Sequence, residues 1–487
     1  MDSGYFGSIG CKLSLHVKAR SVVLLAASLL LVACGGGGSS GDEPVADDPG
    51  ALSETPGTPT IDELNAQRDI VGLDGVYPYV RSSQYADVLS DCALIDDFRQ
   101  ACTLDVLPFI IQDASEPTVA DVMSRVLVTH DWMGERFETL LRSSDESLVR
   151  MFGSVTSILI GSTVRPSNYW GGTGGIQLDP VYLWMSVEEK MTISLEEDFR
   201  SGFGSDLQFL FFQARMRDGN LVSTTFNLVN DETRTLEDIR IPTLRLLYHE
   251  LAHANDFLPR SVAPFLDSRQ IPGAALDQLS DFWLSPQLVA TQPLNSSVMD
   301  SLADVRFLGD DATDSEKTVT ADVVGAEFAN DGAATFYGYS TIREDLATLV
   351  ETAMLKAVFD IDVAAGFVDI PNDPDNAFCD DYIVGWGTRN RFSDPVVLSR
   401  AKVVLEDLFG SSEGLDQFIA AQLGNDDDMT PGNGWCAERD LRATPVVDIQ
   451  ADGSSERSVQ GSKRLEPSTE LLDVDRHAWA EEKRRQQ

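Results

Sequence analysis

His249, Glu250 and His253, in the run His249-Glu250-Leu251-Ala252-His253, are the residues of this chain best spaced to do chemistry. On a helix, positions four apart share a face one turn removed, so both imidazoles can reach a single cation. Zinc takes such nitrogen donors at about 2.0–2.1 Å. Glu250 falls on the adjacent face, where a carboxylate can accept a proton from a water whose pKa the ion has lowered to about 7. The chain holds five histidines, so this pattern arises by chance in well under about 1% of such sequences. Uncharged neighbours at Leu246, Leu247, Leu251, Ala252 and Ala254 give it an interior setting. That setting argues against two surface histidines beside a solvated glutamate.

The element that must carry them is a helix. Pro242 can open one without losing a hydrogen bond, and Leu244, Leu247, Tyr248, Leu251 and Ala252 form an apolar stripe at helical spacing. The segment resembles the active-site helix of the zincin metallopeptidases. The resemblance implies that His249 and His253 bind zinc and that Glu250 is the general base. One departure is Asn255, where that family usually has an apolar residue.

A third ligand must come from elsewhere. The metzincin pattern is excluded by HANDFLPRS, which lacks the needed glycine and further histidine. Gly387-Thr388-Arg389-Asn390 approaches the aspzincin pattern but has asparagine where aspartate is required. Asp256 shares a face with His249, yet seven residues of continuous helix rise about 10 Å, too far for one ion. A helix-end role suits it better. The stretch TIREDLATLVETAMLKAVF is amphipathic, with Glu344 and Glu351 along one side. Glu344-Asp345-Leu346-Ala347 resembles the E-D-x-A ligand helix of several gluzincins, which implies Glu344 as the third ligand. Glu351 and Asp256 stay open as alternatives, and Thr341-x-x-Glu344 also reads as a capping box. Tyr337 stands seven residues before Glu344, as the oxyanion-binding tyrosine does in anthrax-lethal-factor-like gluzincins. Packing beside a helix start would equally account for Tyr337 and the nearby Tyr339.

The N-terminal segment carries an export pattern. Lys12, Lys18 and Arg20 precede an apolar run from Ser21 to Ala33, shorter than the roughly 20 residues that span a bilayer. Leu31-Val32-Ala33-Cys34 resembles a bacterial lipobox, which implies lipidation at Cys34. Gly35 in place of aspartate favours the outer membrane, facing the periplasm or the cell surface. Cys92, Cys102, Cys379 and Cys436 are then left in an oxidising compartment, where four cysteines allow three pairings. The local pairs Cys92–Cys102 and Cys379–Cys436 need the least chain rearrangement. A C-x2-C metal site is absent from the sequence.

Composition sets the frame. The chain has 487 residues, with 37 basic against 78 acidic side chains and a net charge of -41. Such a surface repels nucleic acid and anionic headgroups and favours solubility. The reading divides the chain into a signal peptide (1–33), a flexible Gly/Ser/Pro-rich tether (34–60), a helical N-terminal region (61–154), a zincin-like metallohydrolase domain (155–443) and a polar, disordered tail (444–487). The fold class is α+β. A small twisted sheet is expected between about 155 and 230, from SVTSILIGSTV and a hairpin of LQFLFFQARMR and LVSTTFNLV about Asp218-Gly219-Asn220. Helices should follow to Cys436. Acidic loops at Asp373–Asn376 and Asp426–Asp428 lack EF-hand spacing, and His130 reads as a packing histidine. The expected function is a lipid-anchored, zinc-dependent metallopeptidase acting on peptide or protein substrates. The alternatives are a non-enzymatic envelope lipoprotein that keeps the fold for binding or assembly, and a zinc hydrolase of non-peptide amides.

Overall fold

The structure is a computed structural model that describes residues 61–439, apart from 197, 201, 223–227, 229–231, 375–376 and 423–427. The signal segment, Cys34, the tether and the 444–487 tail lie outside the described residues, as do Asp375, Asn376, Asp426 and Asp427 of the acidic loops. What is described lies within the unit that runs from Pro59 to the C-terminus. It is mixed α+β and holds two small sheets. Among the described residues no helix is long and apolar enough to cross a membrane.

The first sheet contains β1 (Tyr77–Pro78), β2 (Val126–Val128), β3 (Ile158–Ile160), β4 (Asn168–Trp170) and β5 (Gly175–Leu178), in the order β1-β2-β3-β5-β4. The inner strands β2, β3 and β5 run parallel, and β1 and β4 flank them antiparallel. Val126, Leu127 and Val128, like Ile158, Leu159 and Ile160, are buried at every position. Parallel strands covered on both faces read in just this way, as unbroken apolar runs. The sheet therefore takes two strands from the 61–154 region read as helical, since a three-residue apolar run between helices carries no period of its own. It also crosses the boundary drawn at 154/155.

The second sheet contains the expected hairpin and pairs its first arm with a distant strand. Here β6 (Phe209–Arg217) turns through Asp218 and Gly219, both at positive φ, into a two-residue β7 (Asn220–Leu221). Paired positive φ values are what a tight hairpin turn demands. Yet the main partner of β6 is β8 (Asp362–Asp369), paired along its whole length, and β8 in turn pairs with β9 (Val384–Thr388). The stretch after Pro242 is thus not helical throughout. The Ala- and Gly-rich run DVAAGFVD has no alternation because its central positions are buried on both faces.

Helices of eight or more residues, among those described, are α1 (Asp131–Arg142), α2 (Leu236–Phe257), α3 (Leu284–Thr291), α4 (Ala321–Ala329), α5 (Ile342–Phe359), α6 (Pro395–Phe409) and α7 (Glu413–Gln422). The start of α2 differs from expectation. Pro242 lies inside the helix, which opens instead at Thr235. Thr235 Oγ1 accepts from the Asp238 backbone N–H, and Asp238 accepts from the Thr235 N–H and hydroxyl at 2.8 and 2.7 Å. This capping box satisfies the first-turn donors, and packing of Ile239, Ile241 and Leu244 carries the helix past the bond that proline cannot make. One continuous core joins the first sheet (Ile158, Ile160, Ile176) to α2 (Leu244, Leu247, Leu251), α5 (Leu346, Leu349, Val350) and α6 (Leu398, Ala401). Thus α2 and α5 are packed side by side, and that contact holds the site.

Candidate metal centre

His249 and His253 leave α2 one turn apart toward α5, where Glu344 meets them. The two Nε2 atoms are 3.2 Å apart, and Glu344 Oε2 lies 3.0 Å from His249 Nε2 and 3.5 Å from His253 Nε2. These three residues form the cluster able to hold a metal ion among the described residues. A tetrahedral ion with bonds near 2.05 Å separates its ligands by about 3.3 Å. The three edges match that spacing, and two imidazoles with a carboxylate are a donor set that zinc accepts, so the residues fit the ion. His249 is 2% exposed, His253 0% and Glu344 1%, so all three donors are buried.

Thr341 does cap α5, accepting from the Glu344 backbone N–H at 3.1 Å. The Glu344 carboxylate, however, faces the histidines and not the helix start. The backbone and the side chain of Glu344 thus serve separate purposes. Charge follows geometry. Burial opposes the negative charge of Glu344, but His253 and His249 beside it hold its carboxyl well below the usual range. Burial likewise opposes a protonated His249, yet Glu344 and then Glu351 hold the ring well above the usual imidazole range. A cation held by the three donors would compete with a proton for the same ring nitrogens.

Glu351, two turns further along α5, lies outside this cluster. Its Oε2 is 3.0 Å from Nδ1 of His249, on the ring edge away from the cluster, and accepts from Arg245 Nη1 at 3.1 Å. Asp256 also lies outside the cluster. Its carboxylate accepts from the backbone N–H of Ser285 at 2.7 Å and from the Ser285 hydroxyl at 2.6 Å. It therefore ties the end of α2 to the first turn of α3. Asn390, from the aspzincin-like run, accepts from the Phe392 N–H at 3.0 Å and caps a short turn.

Glu250 follows His249 on α2 and is 1% exposed, so its carboxylate sits in a low-dielectric interior. Tyr337 is brought to the centre. Its ring stacks on that of His249, centroids 6.2 Å apart and planes at 19°, and Phe307 packs edge-on behind it at 4.9 Å. Tyr339 turns away and packs with Phe328. Sequence reasoning missed Arg245 and Phe307. Arg245 was visible in principle, four residues before His249 on the same helical face; Phe307 carries no such signal.

The other polar groupings do less. His130 lies between Ser162 Oγ at 3.3 Å and Asp69 at 3.6 Å. Ser162 is buried and shares its hydroxyl with Thr129 at 3.2 Å, so this is a packing network, as the sequence suggested. A cleft of about 550 Å³ bordered by Arg150, Arg260, Glu116 and Asp407 reaches α2 only at Asn255, two residues past His253 and round the helix from it. The cysteines pair as Cys92–Cys102 and Cys379–Cys436, with Cα atoms 5.3 and 5.5 Å apart.

Comparison of the chain with protein-family models, with curated proteins and with solved structures finds no match.

Proposed function

We propose that the chain is a zinc-dependent peptidase of gluzincin type, built on a zincin-like fold and held at the bacterial outer membrane by a lipid on Cys34. The single observation that carries the reading is the triangle of His249, His253 and Glu344, whose edges suit one tetrahedral ion. Zinc supplies Lewis acidity, which brings the pKa of a water near 7 and polarises a carbonyl. Glu250 takes the proton from the attacking water and passes it to the leaving amine. The Tyr337 hydroxyl donates to the oxygen that becomes negative during attack.

The depth of the donors favours one second reading, in which the ion only ties α2 to α5 in a non-enzymatic envelope protein. Glu250→Gln separates the two. It keeps the shape and removes the base, so zinc should remain near one per chain while turnover of a generic peptide library falls about 100-fold or more. Wild-type protein that holds zinc yet cleaves no peptide would support the second reading. Wild-type protein with no stoichiometric zinc would remove both.

A further inference from the structure

Glu351 is a buried carboxylate that the hydrolytic scheme does not use, and its surroundings show what it is for. A carboxylate this deep is tolerated only when its charge and its lone pairs are met. Here one oxygen, Oε2, meets two partners at once: Arg245 Nη1 at 3.1 Å and His249 Nδ1 at 3.0 Å. All three side chains are 3% exposed or less. Arg245 precedes His249 by one turn on α2, and Glu351 follows Glu344 by two turns on α5. Both helices therefore contribute ligand-bearing and supporting positions: His249, His253 and Arg245 from α2, Glu344 and Glu351 from α5.

The chemistry of the contact fixes the ring. An ionised carboxylate only accepts hydrogen bonds, so the His249 nitrogen facing it must carry the proton. The ring is thereby held as the Nδ1–H form, with Nε2 turned toward His253 and Glu344. Arg245 holds the Glu351 carboxylate in place and balances its charge. His253 differs: among the described residues its buried Nδ1 has no hydrogen-bond partner.

Resting on the metal-centre reading above, we infer that Glu351, clamped by Arg245, is a positioning residue that sets the tautomer and orientation of His249 and makes His249 the anchoring histidine of the centre. Partners of this kind alter metal affinity by about 10–100-fold when removed.

The test uses the full chain stripped of metal and titrated with zinc alone against a chromophoric chelator. Glu351→Ala should weaken zinc binding about 10–100-fold. Glu351→Gln, whose amide oxygen still accepts from Nδ1, should recover most of that loss. In the zinc-loaded wild type, nitrogen-15 spectra of the histidine rings should show His249 protonated at Nδ1 and protected from exchange. A zinc affinity for Glu351→Ala within about twofold of wild type, with folding intact, would overturn the inference while leaving the metal centre standing. So would a wild-type spectrum in which Nδ1 of His249 carries no proton, a result that holds even if Glu351→Ala does not fold. Failure of the wild type to bind zinc at all would overturn this inference together with the reading beneath it.

Discussion

Glu344 and Tyr337 stand on either side of the distinction between holding an ion and using it. Removing Glu344 takes away one of three donors and leaves two buried imidazoles to share a cation. Glu344→Ala is therefore expected to lose stoichiometric zinc and activity together, as metal analysis and a peptide assay would show. Its Thr341 cap should survive, because that bond is made to backbone. Retention of full zinc by Glu344→Ala would refute the assignment. Tyr337→Phe should keep zinc, since the ring still stacks on His249 and packs against Phe307. Turnover should fall by about 100-fold, the usual loss on deleting one oxyanion donor. Unchanged turnover would reduce Tyr337 to a packing residue. Both variants touch buried groups, so each assay needs a near-ultraviolet spectrum showing that the fold is intact.

At the level of elements, α2 and α5 do different work at their starts. The Asp238 carboxylate at the start of α2 is partly buried, and hydrogen bonds from the Thr235 backbone and hydroxyl hold its carboxyl below the ordinary value. A carboxyl depressed in the folded state adds stability above its unfolded pKa, near 4, and that stability is lost as pH falls through the folded value. The Asp238→Asn variant lacks this dependence. Wild type should therefore be more stable by about 0.5 kcal/mol at pH 7, the usual size for a carboxylate at a helix start. The difference should shrink as pH drops below about 4. Thermal unfolding of the pair across pH checks the sign, and a gap that widens in acid would contradict it. The far end of α2 is held by Asp256, which accepts from both the N–H and the hydroxyl of Ser285. At the start of α5, Asp345 next to Glu344 pairs with Arg400 of α6 inside the core. The helix that presents Glu344 is thus anchored through the adjacent residue.

Across the whole molecule, the two disulfides close loops of different size. Cys379 and Cys436 lie 57 residues apart, Cys92 and Cys102 only 10. By loop-closure entropy, the longer bridge contributes about 4 kcal/mol and the shorter about 3 kcal/mol. The paired variant Cys379→Ser/Cys436→Ser should lose the larger amount in chemical denaturation, and the reverse order would show that native-state strain outweighs chain entropy. Much of the site was legible from residue types alone. His249, Glu250 and His253 form a local pattern on one helix, and spacing within a helix does not depend on what packs around it. The mixed α+β class and the Cys92–Cys102 pair were legible for the same reason: strand-like runs and a ten-residue separation are local facts. The rest was not local. Which of Glu344 and Glu351 meets the Nε2 atoms of both histidines depends on how α5 lies along α2, and a shift of two turns would exchange their surroundings. Pro242 looked like a helix start because a proline usually is one, but the Thr235–Asp238 box and the core took α2 further back. The partner of β6 was hidden because β8 lies far along the chain, and pairing at that distance leaves no mark in either strand's own residues. Sequence alone determined which side chains could bind an ion and move a proton. Only the tertiary structure decided that Glu344 completes the triangle, that Glu351 and Arg245 stand behind His249, and that Asp256 serves a helix end, because side-chain distances across two helices are set by packing and not by spacing.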